Sequence, residues 1–297
     1  MIRLGLIGYP LEHSLSPPIH QAALRALNLE GEYRLFPLIA DQDLPQNLSA
    51  LLARLRRGEI QGLNVTVPYK QVVIPYVDRL TPAAAAVGAV NTLYCQDQQL
   101  IGENTDVPGF LADLQSFLSD QKSQDTVQKH ALVLGAGGSA RAVVYALGSQ
   151  GWQVRLAARR LAQAQELASD LHAQIERGHI ERGYIEPISF DLEGLKAASK
   201  TAALLVNTTP VGMWPEVDRS PWPEGVPFPP QAFVYDLVYN PARTLFLKQA
   251  QLARLPISNG IGMLVEQAAQ AFESWTKKYA PRKAMFAAVS EYLIDLI

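Results

Sequence analysis

The chain of 297 residues reads as an α/β protein of two domains, one of them a Rossmann-type doubly wound nucleotide-binding domain. Three observations predict this. The apolar strand His130–Leu134 runs into Gly135-Ala136-Gly137-Gly138-Ser139-Ala140, and Ala140, Val143, Val144 and Leu147 then recur at helical spacing. Earlier, Ile60 to Lys70 (IQGLNVTVPYK) is a β-rich, half-buried strand that Pro68 stops by removing a backbone donor. Around both, strand-like and helix-like stretches alternate over a length that exceeds the commonest single-domain size.

Composition narrows the class. A hydrophobic content of 48% and a charge content of 18% suit a soluble globular chain. A formal net charge of -2 leaves no basic footprint for nucleic acid or an anionic membrane. No signal peptide or apolar span is visible, Cys95 is the single cysteine, and five scattered histidines offer no metal-ligand spacing. The expectation is a cytoplasmic protein, monomer or homodimer, that handles a small molecule without a metal.

In order along the chain, Arg3–Gly8 is a first strand. Ser16 and Pro17 start a helix with a capping hydroxyl, and its stripe is Ile19, Ala22, Ala23 and Ala26. Ser14 has no capping duty, and two hydroxyls beside helix-start amides suit a carboxylate. A strand over Glu32–Leu38 and a helix over Leu44–Leu55 follow. Lys70 then stands just past a strand end, where open α/β sheets gather ligands. A region broken at Pro75 and a small-residue helix over Ala83–Val87 come next. Asp106 starts a helix over Val107–Leu118 that bridges the domains; Asp106 reads as its N-cap or a site residue, and Asn91 as a turn residue or a ligand contact.

After a polar connection over 121–129, the glycine turn meets the requirements of a dinucleotide fingerprint. Gly135 permits the tight turn, Gly137 lets a pyrophosphate approach the backbone, and Ala140 packs helix on strand. At the end of the next strand, Gln153–Ala157, Ala158-Arg159-Arg160 stands where an NAD site carries a carboxylate, so Arg159 and Arg160 favour the 2′-phosphate of NADP. Residues 171–195 read as polar and irregular with a short strand near Ile188. The proline-rich 215–230 segment reads as a loop without a packed role. Strands over Ala202–Val206, Phe233–Leu237 and Leu255–Ile257 precede a helix with Met263, Gln267 and Ala271 on one face, and an amphipathic helix over Lys283–Ile297 closes the chain.

Several motifs, correctly ordered over nearly the whole chain, resemble the shikimate dehydrogenase family. They are Ser14-Leu15-Ser16-Pro17, Asn64-Val65-Thr66-Val67-Pro68-Tyr69-Lys70, Gly88-Ala89-Val90-Asn91-Thr92, Asn104-Thr105-Asp106, the turn from Gly135 to Ala140, Asn207 to Met213, and Asn259 to Gln267. The resemblance implies reversible NADPH-dependent reduction of 3-dehydroshikimate to shikimate. It implies Lys70 and Asp106 as the catalytic pair and Ser14 and Ser16 on the substrate carboxylate. Thr66, Asn91, Tyr239 and Gln267 fall at further substrate contacts, and Gly135, Ala136, Gly137, Gly138, Ser139, Ala140, Arg159 and Arg160 at cofactor contacts. Leu237 and Gly260 fall at the nicotinamide end. The implied organisation is a discontinuous α/β substrate domain (1–106 and 260–297) around an NADP-binding Rossmann domain (107–259). Where the family commonly has asparagine-arginine-threonine, this chain has Ala158-Arg159-Arg160, and its polar stretch at 179–186 is longer. Two rivals make different demands. An NAD-using quinate/shikimate dehydrogenase asks for an acidic residue near Ala158, and a catalytically silent NADP-binding regulator asks for loss of Lys70 or Asp106.

Overall fold

Parallel pairing begins at once. In the computed structural model, which describes residues 1–120, 128–177 and 183–294, β1 (Ile2–Gly8) lies between β2 (Gly31–Pro37) and β3 (Gly62–Val65). The crossover helices are α1 (Ser16–Ala26) and α2 (Leu44–Arg56). After β3 come a single 3₁₀ turn at Ile74–Tyr76, β4 (Arg79–Leu80) and α3 (Pro82–Val87). The hairpin of β5 (Thr92–Gln96) and β6 (Gln99–Glu103) then turns at Asp97 and Gln98, both at positive φ as a two-residue hairpin requires. Strand order is β2-β1-β3-β5-β6-β4, with β5 antiparallel to both neighbours. Leu48, Leu51, Leu52 and Leu55 of α2 pack on Ile7, Leu63, Val65, Leu93 and Leu100 of this sheet. On α1 the buried residues are Ile19, Ala22, Ala23 and Leu24, whereas Ala26, expected in the stripe, is exposed on the last turn.

The chain divides into two compact units, Met1–Gly109 with Val265–Ile297, and Phe110–Leu264. The divisions fall inside two helices, α4 (Asp106–Asp120) and α9 (Ile261–Thr276). The last helix, α10 (Arg282–Ile294), packs on α1. Its apolar residues are spread around the helix instead of forming the expected amphipathic stripe.

The second unit holds β7 (His130–Leu134), β8 (Gln153–Ala158), β9 (Ile185–Ser189), β10 (Leu204–Asn207), β11 (Phe233–Asp236) and β12 (Ile257–Ser258). All pair in parallel, in the order β12-β11-β10-β7-β8-β9. That is the 3-2-1-4-5-6 order of a dinucleotide-binding sheet, with its switch point between β7 and β10. Helix α5 (Gly138–Ser149) buries Ala140, Val143, Val144 and Leu147 completely, the stripe its spacing predicts.

Two expectations are corrected here. The stretch 171–195 is not irregular among its described residues. Helix α6 (Leu161–Arg177) extends through its first part, and α7 (Leu192–Ser199) starts at an Asp191 cap that accepts from the Gly194 amide at 2.7 Å. The α6 stripe is Ala164, Leu167, Ala168 and Leu171, half of it alanine, so its periodicity is faint against polar neighbours. Helix α8 (Leu245–Leu252) is a further element without a counterpart in the sequence reading. The proline-rich 215–230 loop does have a packed role. Trp222 and Val226 join the core beside Leu132, Leu205 and Val234, the Trp222 indole donates to the Val226 carbonyl at 3.0 Å, and Phe228 stacks on Trp222 at 5.3 Å. Of the expected polar connection, the 179–186 stretch and the end of the last helix, residues 121–127, 178–182 and 295–297 lie outside the described residues. Among the described residues no helix is long and apolar enough to cross a membrane.

Candidate functional site

In the first unit, strand direction gathers the expected residues onto one edge. β1 and β3 are parallel, and β5 reverses twice so that β6 points the same way as β3. The carboxyl ends of β1, β3 and β6 and the amino end of β5 therefore share one side of the sheet. Ser14 and Ser16 follow β1, Thr66 and Lys70 follow β3, Asn91 precedes β5 and Asp106 follows β6. Thr66 lies so close to β1 that a Cβ on Gly8 would collide with its Cγ2. Gln267 of α9 sits beside the first turn of α4, where a Cβ on Gly109 would meet its backbone nitrogen at 2.8 Å.

Lys70 is held from both sides. Its neighbour Tyr69 is buried and donates its hydroxyl to the Leu38 carbonyl at 2.6 Å, while the Lys70 carbonyl accepts from the Val90 amide at 2.8 Å. Lys70 Nζ reaches Asp106 Oδ2 at 2.7 Å, and Asn91 Nδ2 donates to Asp106 Oδ1 at 2.9 Å. Both carboxylate oxygens are thus engaged, which fixes the orientation of Asp106. Asn91 is fixed in turn, its Oδ1 accepting from the Thr105 amide at 2.8 Å and the Thr92 hydroxyl at 3.1 Å.

Of the two readings for Asp106, the helix cap does not hold. Asn104 takes that duty, with its Oδ1 accepting from the amides of Asp106 and Val107 at 3.1 and 3.2 Å. The Asp106 carboxylate is released to face Lys70. At α1 the roles shift similarly. Leu15 occupies the cap position without a side-chain bond, and Ser14 Oγ accepts from the Ser16 amide at 3.3 Å. Ser16 is the first helical residue, and its hydroxyl lies near the Tyr33 phenol.

Tyr33 continues a chain of contacts that sequence reasoning missed. Its hydroxyl donates to Asn64 Oδ1 at 2.8 Å, and Asn64 Nδ2 donates to the Asn91 carbonyl at 3.2 Å. A hydrogen-bonded line therefore runs from Tyr33 through Asn64 and Asn91 to Asp106 and Lys70. Tyr33 is itself held by the buried His20, whose ring stacks on it at 4.4 Å and 3°. Desolvation lowers the His20 pKa to about 3, so the ring is neutral, and burial raises that of the Tyr33 hydroxyl. The only signal in the sequence for this line is polar residues inside apolar strands, which must find partners if buried.

In the second unit, the glycine turn fits a dinucleotide. Gly135 has φ +106, and a Cβ there would meet Thr208 Oγ1 and Thr209 Cγ2 at 2.8 Å each, so the switch-point turn admits only glycine. A Cβ on Gly137 or Gly138 would meet nothing within 4 Å. Their outer face is open, and with the exposed Ser139 they present the leading amides of α5 to a phosphate. Ala136 carries the turn between them and Ala140 is fully buried beneath. Arg159 and Arg160 are exposed just past β8, with Arg160 Nε donating to Gln163 at 3.0 Å. Leu237 follows β11 and touches Gly260, where a Cβ would collide with the Leu237 carbonyl. Tyr239 stands two residues further on, half-buried, its hydroxyl pKa raised by burial.

Comparison with known proteins gives this geometry a lineage. Residues 6–93 match the model of the shikimate dehydrogenase substrate binding domain, and residues 260–289 that of the shikimate 5'-dehydrogenase C-terminal domain. The chain is 41% identical over 288 residues to a shikimate dehydrogenase (NADP(+)) of Salinibacter ruber, covering 96% of this chain and 95% of that protein. The shikimate 5-dehydrogenase of Thermus thermophilus, solved in complex with NADP(H) and shikimate, is similar at 34% identity and a TM-score of 0.80, over 98% and 99% of the two chains. The quinate dehydrogenase of Corynebacterium glutamicum in complex with NAD is similar at 30% identity and a TM-score of 0.86, over 98% and 99%. With two-fifths identity to a relative over almost its full length, the chain belongs to the shikimate dehydrogenase family.

Proposed function

We propose that this chain catalyses the reversible NADPH-dependent reduction of 3-dehydroshikimate to shikimate, a step of aromatic amino acid biosynthesis. The observation that carries the mechanism is the Lys70–Asp106 pair at 2.7 Å, fixed at the sheet edge by Asn91. Bound on the glycine turn and arginines of the second unit, NADP(H) would supply the hydride chemistry in either direction. As the carbonyl carbon is reduced, its oxygen takes a proton from Lys70 Nζ and becomes the hydroxyl, and solvent reprotonates the lysine. Asp106 orients Lys70 and accepts from a substrate hydroxyl. Ser14 and Ser16 bind the carboxylate, with Thr66, Asn91, Gln267 and Tyr239 on the remaining polar groups, since a buried hydroxyl left unpaired would cost affinity.

The proposed substrate contacts other than Tyr239 belong to the first unit, and the proposed cofactor contacts to the second. The open face of Gly137 and Gly138 supports the pyrophosphate, and Arg159 supports the 2′-phosphate. The missing carboxylate after β8 argues against the NAD-linked quinate reading. The test is absorbance of the reduced nicotinamide on mixing shikimate with NADP⁺, with quinate and NAD⁺ as parallel arms. Lys70→Ala is expected to lose roughly 10²–10⁴-fold in kcat while NADPH affinity holds. A full-speed Lys70→Ala enzyme would remove Lys70 from the chemistry, and faster turnover with quinate and NAD⁺ would replace the proposed substrate pair.

A further inference from the structure

One buried carboxylate in the second unit has no place in the mechanism above. Asp236 ends β11 with no exposed surface, and its hydrogen-bond partners among the described residues are all neutral. Its Oδ1 accepts from Asn207 Nδ2 at 2.8 Å and from the Val238 amide at 3.1 Å, and its Oδ2 accepts from the Thr244 hydroxyl at 2.6 Å. Each partner fixes a different segment. Asn207 ends β10, and its Oδ1 accepts from the amide and hydroxyl of Thr209, whose Oγ1 accepts from the Val211 amide. Val238 leads the loop after β11, next to the Leu237 carbonyl that packs on Gly260. Thr244 caps α8, its Oγ1 accepting from the Leu247 amide at 3.3 Å.

These segments share the carboxyl side of β10 and β11. The fingerprint turn and Arg159 stand at the ends of β7 and β8, so the adenosine half of a dinucleotide lies on that side of the switch point. The nicotinamide half then falls to the side of β10, β11 and β12. We infer that Asp236 is a positioning residue for the nicotinamide half of the cofactor, acting as an ionisable hub that holds the β10 and β11 end-loops together. The inference rests on the cofactor reading above.

A hub of this kind titrates in a useful range. Burial pushes the Asp236 pKa up to about 6, offset by the bonds from Thr244, Val238 and Asn207. All three partners are neutral donors, from α8, from its own strand end and from β10, and no charged side chain contributes to the shift. Because burial raises this pKa, the closed arrangement favours the acid form, so below that pH the loops stay closed over Asp236. Above it the ionised carboxylate is better solvated when the loops loosen, and only the three donor bonds oppose that loosening.

The experiment is fluorescence titration of the full-length protein with NADPH and NADH between pH 5 and pH 8. NADH is essential because the 2′-phosphate of NADPH titrates near the same pH. Wild type is expected to bind NADH about five-fold more tightly at pH 5 than at pH 7.5, a difference of about 1 kcal/mol. Thr244→Val removes one bond to the ionised form, so the inflection should move to higher pH. Asp236→Asn should flatten the NADH profile while leaving the phosphate-linked step for NADPH. Circular dichroism at each pH reports folding, and wild type and Thr244→Val suffice if Asp236→Asn does not fold. A flat NADH profile in folded wild type overturns the inference, as does an unmoved inflection in folded Thr244→Val. If neither cofactor binds at any pH, the cofactor reading itself fails.

Discussion

The start of α4 separates a capping residue from a chemical one, and substitution can show which is which. Asn104 is buried, accepts from two helix amides at 3.1 and 3.2 Å, and donates to the Ala89 carbonyl at 3.0 Å. Asn104→Ala removes a cap, worth about 1 kcal/mol, and strands a buried carbonyl, worth about 1–3 kcal/mol more. The sum, about 2–4 kcal/mol, is a Tm drop of roughly 5–15 °C for a domain of this size. Asp106→Asn keeps the volume and the acceptor for Asn91 but sets an amide against Lys70 Nζ. With Lys70 still 23% exposed, its side chain can swing to water, and the fold should lose little. Activity should fall roughly 10²–10⁴-fold in kcat instead. Differential scanning calorimetry and initial rates on both variants read the two effects independently. A wild-type Tm for Asn104→Ala, or an Asp106→Asn variant that melts as low and loses activity only in step with its unfolded fraction, refutes the assignment.

Three further outcomes are expected. Ser14→Ala with Ser16→Ala should raise the KM for shikimate with kcat less affected, each carboxylate bond being worth about 1.5–3 kcal/mol; an unchanged KM in the folded double variant leaves both serines structural. Arg159→Ala should lower kcat/KM for NADPH by roughly 10- to 150-fold with NADH rates held, and added salt should weaken NADPH more than NADH; a wild-type preference for NADH contradicts this. Trp222→Ala should destabilise the second unit by about 3–5 kcal/mol in urea unfolding, whereas an unmoved midpoint would make the proline-rich loop dispensable.

Much of the second unit was legible because its signals are local. A strand, a glycine-rich turn and an apolar stripe of Ala140, Val143, Val144 and Leu147 dictate a turn at positive φ and a helix that begins beneath it, and Gly135 and α5 follow from those residues alone. The lysine past Pro68 and the aspartate at the start of α4 were equally readable as candidates. Helix α6 was not, because alanine contributes little contrast to a hydrophobic pattern even where it is fully buried. Trp222 was hidden by its proline neighbours, which mark a break in regular structure and say nothing about packing against Leu132 and Phe246.

What tertiary structure decided was the partnership of polar side chains. Sequence places Asn91, Asn104 and Asp106 in a turn and a cap, and each suits either duty by its own chemistry. Only the reversal of β5 brings Asn91 against Asp106 and lets Asn104 take the helix amides, so the carboxylate is left for Lys70. Tyr33 and Asn64 lie 31 residues apart and meet because β2 and β3 flank β1. Hydrogen bonds need their partners within about 3 Å, and distances of that kind between remote residues are set by strand order, which local pattern does not encode.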